Sequence, residues 1–262
     1  MLNTLRAAFS LFKYRVESGD AHTIHSPFVF QLYTQVICKR LHLAAYEAIE
    51  LQRRKWQADK TEITITDFGA GSAVSSARKR NISSIAKHTL KPARFGQLLH
   101  RLVLHFEPET ILELGTSLGI TTAYLASGNK KADVITFEGC PQVSALARQT
   151  FRNLHLNNIT QVQGNMDTTL PATLANLPKI DLAFFDGNHR LEPTLRYFTQ
   201  CLEKAHEDSV FIIDDINWSP EMKQAWQQIK NHPRVRVTID LHFIGLVFFR
   251  TQQPKQHFVL KF

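Results

Sequence analysis

Apolar residues in the second half of the chain fall into short, nearly unbroken runs. Ile111-Leu112-Glu113-Leu114, Val134-Ile135-Thr136-Phe137, Asp181-Leu182-Ala183-Phe184-Phe185 and Val210-Phe211-Ile212-Ile213 each end directly before Gly, Glu or Asp, with a weaker run at residues 159–162. Between them lie amphipathic stretches of helical length, such as residues 141–154 and 192–205. Apolar strands alternating with helices predict a parallel sheet covered on both faces. The last two runs, residues 235–240 and 244–249, lie only a few residues apart. That link is too short for a crossover helix, so the pair is predicted to be an antiparallel hairpin. The expected fold is therefore α/β and doubly wound, with five parallel strands and a C-terminal antiparallel hairpin.

The first part of the chain reads differently. Residues 93–106 form an amphipathic helix leading into the first core strand, and residues 62–67 alternate Ile and Thr as an isolated strand or hairpin does. Leu2, Leu5, Phe9 and Phe12 recur at helical spacing, which predicts a helix packed on the body or on a second copy, so a homodimer is one expected assembly. Residues 1–91 are expected to be a mostly helical extension and residues 92–262 the main domain. Arg6 and Lys13 break the apolar N-terminal stretch, leaving neither a signal-peptide core nor a membrane span.

Composition narrows the class. With 44% hydrophobic and 21% charged residues among 262, the chain is an ordinary globular one and needs no disulfide or metal to fold. Its 3 cysteines include no CxxC, which disfavours a disulfide framework and a zinc site and points to the reducing cytoplasm. Net charge is +8, and it is uneven: residues 1–110 hold 16 Lys and Arg against 9 Asp and Glu, clustered at residues 53–55 and 78–80. Such clusters suit nucleic acid or an acidic substrate, or are a solvated face. No aromatic RNA-binding motif or zinc-finger spacing accompanies them, which disfavours nucleic acid.

Two glycine turns compete for a nucleoside-binding role at the carboxyl ends of the strands. Asp67-Phe68-Gly69-Ala70-Gly71-Ser72 is followed, some twenty residues on, by neither an apolar strand nor an acid. Glu113-Leu114-Gly115-Thr116-Ser117-Leu118-Gly119 is followed at that interval by strand 134–137 and Glu138. Only the second sits in a strand–turn–helix–strand–acid unit. It lacks the GxGxxG of dinucleotide oxidoreductases. It satisfies G-x-S-x-G with Ser117 as nucleophile, but a hydrolase elbow follows several earlier strands, and this one follows the first.

The segment Glu113 to Gly119 resembles motif I of class I S-adenosylmethionine-dependent methyltransferases. Glu138 resembles their ribose-binding acid, and Gly164-Asn165-Met166-Asp167 resembles the loop beside the adenine. Arg94-Phe95-Gly96-Gln97-Leu98-Leu99, Phe184-Phe185-Asp186-Gly187-Asn188-His189 and Ile213-Asp214-Asp215 are similar to the small-molecule O-methyltransferases of the catechol, caffeoyl-coenzyme A and macrocin type. The resemblance covers about residues 92–250 and implies a Rossmann-like sheet and S-adenosylmethionine as cofactor. It implies that Glu113, Gly115, Thr116, Ser117, Gly119, Thr121, Glu138, Gly164, Asn165, Met166, Asp167 and Asp186 line the cofactor. Glycines let the backbone approach a ligand, and hydroxyls near a helix N-terminus suit its carboxylate.

After the fourth strand stands Asp186-Gly187-Asn188-His189 rather than the Asn/Asp-Pro-Pro-aromatic run of base-amine methyltransferases. A small hydroxylated acceptor is the favoured expectation, with RNA or another anionic acceptor, or a non-catalytic binding protein on this fold, as alternatives. Two chemistries for ionising the acceptor stay open. Asp186, Asp214 and Asp215 converge at two strand ends and can hold Mg²⁺ or another divalent cation, provided the strand ends at Asp214, since neighbours within a strand face opposite ways. Otherwise Asp186 and His189 act without metal, His189 as general base.

Overall fold

The computed structural model describes the backbone of residues 2–67 and 76–262 and the side chains of residues 10–66 and 78–262. The turn from Asp67 to Ser72 and the side chains of Leu2, Leu5 and Phe9 lie outside these described residues. In chain order the elements are α1 (Leu2–Glu17), α2 (Pro27–Leu32), α3 (Ala44–Ala58), β1 (Glu62–Asp67), β2 (Ser76–Asn81), α4 (Ile82–Thr89), α5 (Ala93–Phe106), β3 (Thr110–Leu114), α6 (Ile120–Gly128) and β4 (Asp133–Glu138). There follow α7 (Pro141–Asn153), β5 (Ile159–Gln163), α8 (Met166–Ala175), β6 (Ile180–Phe185), α9 (Leu191–Leu202), β7 (Ala205–Asp214), α10 (Pro220–Asn231), β8 (Val237–Asp240), β9 (Ile244–Phe248) and β10 (Gln256–Val259). Two units divide the chain: residues 40–178 form one, and residues 1–39 with 179–262 form the other.

In the continuous unit, β3, β4 and β5 run parallel, with Leu114 opposite Phe137 and Glu138 opposite Gln163. β1 and β2 form a separate antiparallel ribbon. α5 buries Phe95, Leu98, Leu99, Leu102 and Val103, the spacing expected of a helix with one apolar face. Tyr46, Ile49 and Trp56 of α3 and Ile82, Ile85 and Ala86 of α4 are buried in one cluster with Leu118, Ile120, Ala123 and Tyr124 of α6 and the turn before it. α3 and α4 thus share a buried core with α6.

The discontinuous unit carries strands in the order β10-β8-β9-β7-β6. β6 and β7 are parallel, and β9 is antiparallel to both β7 and β8, as the short link between the last two apolar runs requires. β10, which no apolar run announced, adds parallel to β8. The two ends of the chain meet in this unit. The Tyr14 hydroxyl donates to the Leu260 carbonyl at 2.6 Å, and Gly19 exchanges backbone hydrogen bonds with Val259 and Lys261. Ser26 caps α2 by accepting from the Val29 N–H, so the His25-Ser26-Pro27 run marks a helix start, with His25 itself exposed. Five strands in all run parallel to a neighbour among β3 to β7, and the antiparallel pair follows them, which is the expected α/β architecture.

Candidate functional site

The continuous unit holds the residues expected to line a cofactor, apart from Asp186, which belongs to the discontinuous unit. β3 ends at Leu114, and three of the next five residues take positive φ: Gly115 at 112°, Ser117 at 48° and Gly119 at 76°. Gly119 has a second reason to be glycine, because a Cβ there would stand 2.6 Å from Cε1 of the Phe151 ring. The turn is tied to the end of β4. Gly115 and Thr116 N–H both donate to the Phe137 carbonyl, and Ser117 N–H donates to Glu138 Oε2 at 2.9 Å. Glu138 Oε1 accepts from Cys140 N–H at 2.9 Å, and the Glu138 carbonyl accepts from Gly164 N–H at 3.0 Å. The turns after β3, β4 and β5 therefore meet at one edge. Gly164 has φ 136°, Asn165 caps α8 by accepting from Asp167 N–H, Met166 is half-buried and Asp167 exposed. Thr121 is half-buried on the first turn of α6.

Glu113 lies deeper than its neighbours, with 0% exposure. Its Oε2 accepts from the Thr122 hydroxyl at 2.5 Å and the Thr136 hydroxyl at 2.6 Å. Thr136 has then spent its only proton, so the 2.6 Å contact between Thr116 and Thr136 is a donation by Thr116. Thr116, Thr136, Glu113 and Thr122 form one directed network beneath the turn. Burial pushes the Glu113 carboxyl up to about 8, with the nearby Glu138 adding to the rise and the two hydroxyls opposing it. Burial also raises Glu138 above the ordinary carboxylate range, against the N–H groups it accepts. Sequence reading missed Thr122 and Thr136; the available signal was the register, which sets Thr136 directly opposite Glu113.

These residues fit the nucleoside-bearing cofactor that the motif implies. Glu113 Oε1 is buried with no hydrogen-bond partner, a place for an ammonium or a water. Glu138 accepts from the N–H groups of Ser117, Cys140 and Gly139, and the roughly four lone-pair sites of a carboxylate leave room for a ribose hydroxyl. Gly115, Gly119 and Gly164 present no side chain at their positions in these turns.

The second group lies in the discontinuous unit. β6 ends at Phe185 and β7 at Asp214, and Asp215 turns away at φ 53°. One ligand atom each from Asp186, His189 and Asp214 lies within 4.8 Å of the others. His189 Nε2 is 3.4 Å from Asp186 Oδ1 and 3.9 Å from Asp215 Oδ2. Asp214 is 0% exposed. The structure thus gathers Asp186 and Asp214 with His189, while Asp215 flanks the imidazole. Trp218 donates its backbone N–H to the Asp215 carbonyl and is 76% exposed.

The basic clusters divide. Arg53 is buried, and it bonds Glu50 and the Lys91 carbonyl, while residues 54, 55 and 78–80 are exposed. Cys140 is buried beside Thr64 and Thr66 of β1. Among the described residues, no helix is long and apolar enough to cross a membrane.

Residues 112–216 match a family described as a methyltransferase domain. An uncharacterized protein of Acanthamoeba polyphaga mimivirus is 25% identical over 143 residues, which are 50% of this chain and 65% of that protein, so the chain spans slightly under two thirds of it. Among solved structures, a methyltransferase of Podospora anserina bound to S-adenosylhomocysteine (SAH) aligns with TM-score 0.60 and 14% identity, covering 86% of this chain and 97% of that one. An O-methyltransferase of Bacillus cereus in complex with SAH gives 0.56 and 19%, covering 84% and 97%. The O-methyltransferase TomG of Streptomyces achromogenes, solved with S-adenosylmethionine and involved in tomaymycin synthesis, gives 0.56 and 15%, covering 84% and 94%. The fold is thus the Rossmann-like one of these enzymes. The methyltransferase-domain match runs from β3 to just past β7, and so covers the glycine turn, Glu138 and the strand ends that carry Asp186 and Asp214.

Proposed function

We propose that this protein is an S-adenosylmethionine-dependent methyltransferase that acts on an oxygen of a small hydroxylated acceptor. The observation that carries the reading is the grouping of Asp186, His189 and Asp214 at the ends of β6 and β7. Methylating an oxygen requires that its proton leave, and a phenol of pKa about 10 keeps its proton at neutral pH. Exocyclic base amines make no such demand for an imidazole beside carboxylates. When bound, S-adenosylmethionine supplies a methyl carbon made electrophilic by the sulfonium. Glu138 holds the ribose hydroxyls, and Gly115 to Gly119 with Ser117 and Thr121 hold the amino-acid end. Fixing donor and acceptor in line is worth up to roughly 7–11 kcal/mol in favourable cases.

Two arrangements of the same residues deliver the ionised oxygen. In one, Asp186, His189 and Asp214 hold a divalent cation, which lowers the pKa of a coordinated hydroxyl. Two carboxylates with one imidazole suit Mn²⁺ as well as Mg²⁺. In the other, His189 takes the proton, and Asp186 and Asp215, at 3.4 and 3.9 Å from Nε2, stabilise the imidazolium. Assays of methyl transfer to catechol-type acceptors decide the matter. Loss of activity on EDTA treatment and in Asp214→Asn, restored by Mn²⁺ or Mg²⁺ in the wild type alone, supports the cation. Activity that survives both but is abolished in His189→Ala supports the base. Transfer to RNA, with none to any small hydroxylated acceptor, would overturn the reading.

A further inference from the structure

Nothing in the sequence gave α3 a role, yet its polar side chains bond to residues remote in the sequence. Gln52 Oε1 accepts from Asn153 at 3.0 Å, and Trp56 Nε1–H donates to the Thr150 hydroxyl at 2.9 Å. The Thr150 hydroxyl donates in turn to the Leu118 carbonyl at 2.7 Å. Trp56 is 4% exposed and Thr150 0%, so water does not compete for these bonds. The relay has a direction: indole to hydroxyl, hydroxyl to carbonyl.

That carbonyl belongs to the Leu118–Gly119 peptide. Across the same plane, the Gly119 N–H donates to the Thr116 carbonyl at 2.9 Å. A peptide is planar, so fixing the carbonyl fixes the N–H as well. α7, which bears Thr150, also sets Phe151 and Ala147 where a Gly119 Cβ would stand. One helix wall therefore shapes the glycine turn, and the indole of α3 orients the hydroxyl on that wall. A second strut comes from α4. The Thr89 hydroxyl donates to Ile85 and accepts from the Ser117 hydroxyl at 2.8 Å.

We propose that Trp56 and Thr150 are positioning residues for cofactor binding. They touch no cofactor; they hold the Leu118–Gly119 peptide so that the turn keeps its binding shape. The proposal rests on the reading of this turn as the S-adenosylmethionine loop.

The test is calorimetric titration of SAH into the full chain and into Thr150→Val, Thr150→Ser, Trp56→Phe and the Trp56→Phe/Thr150→Val double variant. A hydrogen-bond loss corresponds to about 2- to 12-fold in an equilibrium constant. Thr150→Val is expected to weaken SAH about 5-fold or more and Trp56→Phe about 3-fold, with Thr150→Ser close to wild type. The double variant is expected to match Thr150→Val, because Trp56 acts through the hydroxyl that Val lacks. Affinity is read on folded protein, so general destabilisation alone leaves it unmoved, and rescue by Ser separates the hydroxyl from the packing. If Thr150→Val does not fold, Trp56→Phe, which keeps an aromatic ring in place, carries the comparison. Wild-type affinity in both Thr150→Val and Trp56→Phe, or an equal loss in Thr150→Ser and Thr150→Val, overturns the relay. Failure of the wild type to bind SAH overturns the cofactor reading, and the relay with it.

Discussion

Replacing Glu113 with Gln is expected to remove a pH dependence from the stability of the fold. In the folded protein, burial holds this carboxyl at about 8, whereas its ordinary value is 4.5. Between those values the unfolded chain has lost the proton and the folded chain keeps it. Stability from this group is therefore full below about pH 4.5, falls as pH rises, and is lost once pH passes about 8. Within the window the slope is about −1.4 kcal/mol per pH unit for one proton. Glu113→Gln keeps an oxygen to accept from Thr122 and Thr136 but cannot titrate. Guanidinium unfolding of both proteins at pH 5.5 and 7.5 isolates the effect, since the remaining groups are common to the two. The stability of wild type relative to Glu113→Gln should fall by about 2.7 kcal/mol from the lower to the higher pH. The same difference at both values would mean that the buried carboxyl is already ionised at pH 5.5, and the argument from burial would be refuted.

Glu138→Ala should leave the fold intact and weaken SAH binding roughly 10- to 150-fold in a calorimetric titration, the range for a hydrogen bond to a charged group. Gly119→Ala should destabilise the protein by about 2–4 kcal/mol in chemical unfolding, since it combines a left-handed φ of 76° with a Cβ pressed against Phe151. Adding Phe151→Leu to Gly119→Ala should recover the steric part of that loss and not the backbone part.

The strands and the glycine turn were legible because they depend on local pattern. Buried parallel strands are apolar throughout, and the spacing from Gly115 to Glu138 follows from one strand–turn–helix–strand unit. The hairpin of β8 and β9 was legible from its short link alone. β10 was not, because Gln256-His257-Phe258-Val259 is half polar and only pairing with β8 makes it a strand. At the second group, sequence placed Asp186, Asp214 and Asp215 at two strand ends, and β7 does end at Asp214; what it did not show is how close His189 lies to Asp186 and Asp214, because that depends on the turn after β6. The threonines around Glu113 and the Trp56–Thr150 pair escaped notice because a hydroxyl or indole partner many residues away leaves no periodic mark. α3 and α4 read as an appendage for the same reason: their shared core with α6 is a tertiary fact.

The pairing of Tyr14 with Leu260 has a consequence for how the protein is made. The two residues are 246 positions apart, and Gly19 waits similarly for Val259 and Lys261. At roughly 5–20 residues per second, a ribosome needs about 10–50 s to travel that distance. Residues 40–178 are contiguous and can fold during the interval, while α1 stays without its hydroxyl acceptor until the final strand emerges. Such a long closure favours late formation. It also couples the two ends afterwards, so α1 and β10 should exchange their amide hydrogens as a single opening unit.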